Sequence, residues 1–100
     1  MKILAIEHER PDLTAGDFQP HLAAEAARAW ELHQAGLIRE LYYCPERSAA
    51  VLVLECTNLE HARQVLDTLP LVQAGLIEFE LLALAAYPGF ARLFSPGVPG

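Results

Sequence analysis

The sequence predicts one small domain of the α+β class, in which four strands and two helices follow the order βαββαβ. Three observations support this prediction. Four short stretches are rich in β-branched and aliphatic residues, two stretches repeat apolar residues at helical spacing, and turn residues separate them. A chain of 100 residues is long enough for one domain with one core.

The first half of the chain is predicted to contribute a strand, a helix and a second strand. Strand one covers residues 2–8. Asp17 is the expected N-cap of helix one, and Pro20 is tolerated in its first turn because an N–H there has no helical partner. The helix is rich in alanine and ends at Gly36, a natural C-cap, and strand two then covers residues 37–44.

The second half is predicted to repeat this order after a turn. Strand three covers residues 49–56 and is almost wholly aliphatic. Thr57 and Glu60 have the spacing of a capping box, in which each side chain satisfies a free backbone N–H at the start of helix two. Pro70 is expected to end this helix, and strand four covers residues 77–85.

This order of elements is that of a ferredoxin-like fold, with two helices on one face of a four-stranded antiparallel sheet. Strand three places Val51 and Val53 on one face and Leu52 and Leu54 on the other, so both faces are apolar. We therefore expect a homodimer in which two sheets meet as a dimeric α/β barrel. The alternative is a monomer with a few exposed aliphatic residues.

Composition excludes several classes of partner. The net charge is −6 and the seven basic residues are dispersed, so a nucleic acid and an anionic membrane surface are not expected to bind. No apolar tract approaches the ~20 residues that span a bilayer. Cys44 and Cys56 are interpreted as free thiols in a reducing compartment, which predicts a soluble cytoplasmic protein.

Glu25 is the residue of helix one that indicates chemistry. At about 100° per residue, it falls inside the apolar stripe between Phe18 and Leu32, with His21 and His33 at the two edges of that stripe. Burial would raise the pKa of this carboxyl group and suit it to proton transfer near neutral pH. The alternative is a structural carboxylate that pairs with His21 or with an arginine of the sheet.

Other common site motifs are not found in the sequence. The histidines lack the spacing of a helical metal site, so no metal is expected. The six glycines are dispersed rather than gathered into a phosphate-binding loop.

The sequence resembles the muconolactone isomerase family over most of residues 1–86. The resemblance rests on Glu25, on Gly-Leu-Ile-Arg-Glu-Leu-Tyr at 36–42, on Asp-Thr-Leu-Pro-Leu at 67–71 and on Ile-Glu-Phe-Glu at 77–80. It implies a ferredoxin-like subunit, a dimer, and a ligand pocket between helices and sheet. It also implies a cofactor-free isomerase that moves a proton between two carbons of a small unsaturated lactone.

The resemblance also suggests roles for individual residues. Glu25 matches an acidic helix position and is the candidate base, while Arg39 matches a basic position in strand two and is the candidate electrophile. His21, His33 and Tyr42 are the candidate ligand-binding residues. Two other functions remain open: a non-catalytic ligand-binding or assembly module, and a cofactor-independent monooxygenase.

The last part of the chain, residues 87–100, is predicted to lie outside the domain formed by residues 1–86. Its segment 90–94 is more apolar than a free tail requires. We therefore expect it to pack on the partner subunit or over the mouth of the pocket.

Overall fold

The computed structural model describes residues 1–94 and contains one four-stranded antiparallel sheet, and the helices that contribute to the core are packed on one face of it. The strands are β1 (Lys2–Glu9), β2 (Ile38–Cys44), β3 (Ala49–Glu55) and β4 (Ile77–Leu84), in the sheet order β2-β3-β1-β4. The helices are α1 (Ala15–Phe18), α2 (Leu22–Gln34), α3 (Leu59–Leu66), α4 (Pro70–Gln73) and α5 (Ala91–Phe94). The ferredoxin-like prediction is confirmed, and strand boundaries differ from it by one residue.

Predicted helix one is divided in the structure. The short helix α1 begins after Thr14 and is followed by a 3₁₀ turn over Gln19–His21, which contains Pro20, before α2 begins. The prediction that Asp17 is the N-cap is therefore wrong, because Asp17 is the third residue of α1 and Thr14 is the N-cap. Its carboxylate accepts a hydrogen bond from the Thr14 backbone N–H at 2.7 Å, which is the acidic half of a capping box.

Predicted helix two differs at both ends. Its N-cap is Asn58 rather than Thr57, because the Asn58 side chain accepts the free backbone N–H of His61 at 2.8 Å. Helix α3 ends at Leu66, and Pro70 starts α4 instead of ending a helix. Proline suits the first turn of a helix because the N–H it lacks would have no partner there.

Both helix-to-strand junctions use the same glycine motif. Gly36 has φ +80° and Gly75 has φ +75°, a region that other residues enter at a cost. After each glycine, the next backbone N–H returns to the helix, from Leu37 to the Leu32 carbonyl and from Leu76 to the Leu71 carbonyl, both at 3.0 Å. These turns set the positions of β2 and β4 relative to the helices.

The core lies between the helices and one face of the sheet. Alternate strand residues such as Ile3, Ala5 and Leu54 are fully buried against helix residues such as Ala62 and Leu66. Within residues 1–94, the buried core lies on the helix side, and no helix covers the opposite face. Its aliphatic residues are neighbours across the strands, as Leu4 is of Val53 and Leu82. They are Leu4, Ile6, Val51, Val53, Leu82 and Leu84. We call this set the open sheet face.

No helix within residues 1–94 is both long enough and apolar enough to cross a membrane. The segment that follows β4 contains a 3₁₀ turn over Pro88–Phe90 and then α5. The large apolar side chains of this segment are exposed, and Phe94 is 82% exposed.

The N-cap of α3 provides a test of this structure. Replacing Asn58 with Ala removes the acceptor for the His61 N–H and should lower the free energy of unfolding by about 1 kcal/mol, measured by urea denaturation at fixed protein concentration. The matched control Asn58→Asp keeps an acceptor and should remain close to the wild type. Equal losses in the two variants would contradict Asn58 as the cap.

Candidate functional site

A partly open pocket of about 340 Å³ lies between α2 and the sheet. We call it the inner chamber. Most of its wall is aliphatic or aromatic, with contributions from Leu22, Leu52, Leu69 and Phe79. The polar side chains that line it are two carboxyl groups, from Glu7 and Glu25, and two tyrosines, Tyr42 and Tyr43. A mostly apolar pocket of this size with a few convergent polar groups is typical of a site for a small molecule.

Helix α2 places Glu25 on the wall of the inner chamber, as the helical periodicity predicts. Its Oε1 accepts a hydrogen bond of 2.9 Å from the backbone N–H of Leu71. That N–H belongs to the first turn of α4, where it has no helical partner. Glu25 therefore accepts its hydrogen bond from a backbone N–H, and not from His21 or an arginine of the sheet as the structural alternative predicts.

Burial raises the pKa of Glu25 above its ordinary value of 4.5. The hydrogen bond from Leu71 and the nearby charge of His21 oppose this effect and lower the pKa in part. His21 thus influences Glu25 electrostatically, although it is not among the residues that line the chamber. A carboxyl group whose pKa moves toward neutrality is better able both to accept and to return a proton.

Glu7 faces the same chamber from the sheet, and the sequence interpretation missed it. Its Oε1 accepts a 3.0 Å hydrogen bond from the backbone N–H of Ala50. The pairing of β1 with β3 ends at Ile6 and Val51, so the Glu7 carboxylate replaces the next backbone acceptor. Burial is the main reason why the pKa of Glu7 is raised, and the charges of Glu9 and Glu25 raise it further.

The signal for Glu7 was present in the alternation of strand one. Ile3 and Ala5 face the core, and Glu7 is the next residue of the same parity. Because Glu7 is charged and lies near the end of the strand, its residue type by itself indicates only a strand boundary. Because the two carboxyl groups come from different elements, their proximity is a property of the tertiary structure.

A more open depression of about 530 Å³ adjoins the chamber at the edge strand β2. We call it the outer cleft. Ala26, Ala29, Leu41 and Tyr42 line both spaces, which makes them neighbours. The other residues that line the outer cleft are Trp30, His33, Arg39 and Glu40.

The polar groups of the outer cleft are held by short hydrogen bonds. Arg39 lies at a register shift between β2 and β3, and its Nε donates to the Gly36 carbonyl at 2.7 Å. His33 places Nδ1 2.9 Å from the Ile38 carbonyl, so Nδ1 carries the proton of the neutral ring. The Tyr42 hydroxyl donates to Glu40 at 2.7 Å, and this bond raises the pKa of Tyr42.

The predicted site residues are therefore divided between two adjoining spaces. Glu25 lines the inner chamber, His33 and Arg39 line the outer cleft, and Tyr42 lines both. Trp30 is a further residue of the cleft, 59% exposed, with its ring centroid 5.6 Å from that of His33. Within the described part of the chain, no group of three or more His, Cys, Asp or Glu side chains could hold a metal ion.

Together, the one-sided cover of helices on the sheet and the carboxyl-lined chamber beneath it define a ferredoxin-like α+β domain with a small-molecule pocket. The family model for muconolactone delta-isomerase matches residues 5–89. The chain belongs to the muconolactone delta-isomerase family, which confirms the resemblance inferred from sequence. No curated protein is significantly similar to the chain in sequence.

Two solved structures share this fold. A crystal structure of muconolactone isomerase has a TM-score of 0.72 and 22% identity, with 88% of this chain and 92% of that chain covered. The 5-chloro-2-hydroxyhydroquinone dehydrochlorinase from Burkholderia phenoliruptrix AC1100, in complex with 2,5-dihydroxybenzoquinone, has a TM-score of 0.71 and 15% identity. That match covers 89% of this chain and 98% of the dehydrochlorinase. At these identities the likeness shows the fold.

The raised pKa of Glu25 predicts how stability depends on pH. The folded chain binds the proton of the Glu25 carboxyl group more tightly than the unfolded chain does. Stability therefore falls as the pH rises from the unfolded pKa through the folded pKa and this group ionises. Glu25→Gln removes this loss and can still accept from the Leu71 N–H. The unfolding free energy of the variant, relative to wild type, should therefore increase as the pH rises above 4.5, the ordinary pKa of the group. A relative stability that falls over this range would contradict the assignment.

Proposed function

We propose that this protein is a cofactor-free isomerase that moves a proton between two carbons of a small unsaturated lactone or carbonyl compound, with Glu25 as its base. The observation that carries the proposal is the position of Glu25, half-buried in the wall of an apolar chamber and with a raised pKa. Membership of the muconolactone delta-isomerase family supports the same reaction class.

The geometry of Glu25 suits removal and return of a proton. The Leu71 N–H holds Oε1 and thereby orients the carboxyl group, while Oε2 accepts no hydrogen bond within the described residues. In the proposed reaction, Oε2 takes a proton from a carbon next to the substrate carbonyl, and the C–H electron pair forms an enolate. The protonated Glu25 then delivers the same proton to the distant carbon of the conjugated system, which restores the carbonyl.

The developing enolate oxygen requires a hydrogen-bond donor. Arg39 is the proposed electrophile, because its charge lies in the adjoining outer cleft and only its Nε is occupied within residues 1–94, by the Gly36 carbonyl. Tyr42 lies where the two spaces meet and is the proposed auxiliary donor. His33 is proposed to contact the ligand from the cleft, and His21 to tune the charge of Glu25.

The proposed reaction is tested by Glu25→Gln, which keeps the acceptor for Leu71 but cannot take a proton. Turnover should fall by about 10²-fold or more, while circular dichroism and chain association stay unchanged. The assay follows isomerisation of uncharged unsaturated butenolides by NMR. The control Glu46→Gln removes the same charge from an exposed turn and should retain activity.

Undiminished isomerisation in Glu25→Gln would overturn Glu25 as the base. Tight binding of these compounds to the wild type without any turnover would instead support the alternative of a ligand-binding module.

We also propose that the working unit is a homodimer joined through the open sheet face. That face presents neighbouring aliphatic side chains of β1, β3 and β4, bordered by charged residues such as Glu80, and its Leu82 and Leu84 are 41% and 42% exposed. Burying apolar area is the main favourable contribution to such association. The exposed side chains of Tyr87, Phe90 and Leu93 in the following segment are proposed to pack on the partner subunit or at the pocket mouth. The remainder of the predicted tail, residues 95–100, lies outside the described residues.

The dimer is tested with a charge on the open sheet face. Leu82→Glu should convert the protein to a monomer, because an interface would have to bury an unpaired carboxylate, and molar mass from light scattering measures this. The control Leu59→Glu changes a leucine of similar exposure, 43%, on the outer side of α3. It should leave the molar mass unchanged. A wild-type monomer would contradict the proposal directly.

A further inference from the structure

The inner chamber combines two carboxyl groups with no cationic side chain. Its lining contains Glu7 and Glu25 but no Lys, Arg or His residue. Arg39 and His33 line the outer cleft, and His21 acts on Glu25 from outside the lining. Any ligand in the chamber therefore lies close to carboxylate acceptors and their negative charge, in a pocket whose remaining lining is mostly apolar. Such an environment favours some substrate classes strongly over others.

The two carboxyl groups come from different elements and are each held by a backbone N–H. Glu25 comes from α2 and is held by the Leu71 N–H, and Glu7 comes from β1 and is held by the Ala50 N–H. In each case one oxygen accepts the backbone hydrogen bond. Within residues 1–94, the second oxygen of each carboxyl group accepts no hydrogen bond. Neither of these second oxygens is fully buried, so both remain accessible to a hydrogen-bond donor. Each carboxyl group thus offers the chamber a positioned acceptor.

We infer that Glu7 sets the substrate class of this chamber: an uncharged, hydroxylated ring compound whose O–H groups donate to Glu7 and Glu25, with carboxylate-bearing compounds excluded. This inference rests on the proposed function, since it concerns the same chamber. It deepens that function by assigning a specificity-determining role to a residue that the reaction itself does not require.

The physical basis is the cost of placing like charges together. A ligand carboxylate in the chamber would lose its hydration and meet ionised carboxyl groups in a space with few compensating donors. A ligand hydroxyl donates to the same groups in a charge-assisted hydrogen bond. The volume of about 340 Å³ is suited to a single substituted ring. An anionic substituent could reach the basic groups only by remaining in the outer cleft.

Three small ring compounds of similar size separate these effects. The first, 4-(hydroxymethyl)phenol, is uncharged and carries two O–H donors. The second, 4-hydroxybenzoate, replaces one donor with a carboxylate. The third, 1,4-dimethoxybenzene, is uncharged and lacks donors. Binding is measured near pH 7 by NMR titration of backbone amides, which also shows whether amides of the chamber, such as Ala50 and Leu71, respond.

The wild type should bind 4-(hydroxymethyl)phenol about tenfold or more tightly than either of the other compounds, since one close like charge or one lost charge-assisted bond is sufficient for such a ratio. Glu7→Gln keeps an acceptor for the Ala50 N–H and should fold normally. It should reduce the preference over 4-hydroxybenzoate several-fold. Glu46→Gln, which removes an exposed charge, should leave the preference unchanged.

Equal affinity of the wild type for the hydroxymethyl and carboxylate compounds would overturn the inference. So would an unchanged preference in Glu7→Gln, or the absence of any binding of 4-(hydroxymethyl)phenol at the chamber. These results are equilibrium measurements that do not require turnover. They are therefore distinct from failure of the proposed function, which would appear as undiminished isomerisation in Glu25→Gln.

Discussion

The hydrogen bond from the Leu71 backbone N–H to Glu25 Oε1 is the contact on which the site depends. It joins α2 to the first turn of α4 and satisfies an N–H that the short helix leaves free. It also makes burial of a carboxyl group tolerable without neutralising it through a cation. The result is a carboxyl group that is held in place and has a pKa raised by its surroundings.

A second carboxyl group reaches the chamber by the same device. Glu7 caps the end of the pairing between β1 and β3 by accepting from Ala50, and burial raises its pKa as well. Each acidic side chain thus completes the backbone hydrogen bonding of a neighbouring element. Because both are anchored by uncharged donors, the chamber keeps an acidic character, while the cationic Arg39 remains in the outer cleft.

The sheet divides the molecule into two surfaces with different roles. One face carries the core and the chamber beneath the helices, whereas the other is largely aliphatic and is not covered by any helix of the described residues. The chamber is lined by residues of α2, of α4 and of all four strands. A partner on the open sheet face would thus stabilise the subunit from the side opposite the chamber.

Local patterns in the sequence determined most of the fold and one of the two carboxyl groups. Strand alternation, helical spacing and Gly36 specify the βαββαβ order, and the 3.6-residue period alone turns Glu25 inward. The interruption at Pro20 and the N-cap at Asn58 were misjudged, because neighbouring residues of similar propensity compete for each helix end.

Only the tertiary structure decided what surrounds those residues. The partner of Glu25 lies 46 residues away in the chain, and that of Glu7 lies 43 residues away. The inward direction of Glu7 could be inferred from alternation, but its function in the chamber depends on where the β1–β3 pairing stops and on how α2 lies over the sheet. Periodicity tells which way a side chain points, whereas the docking of separate elements determines which groups it meets there.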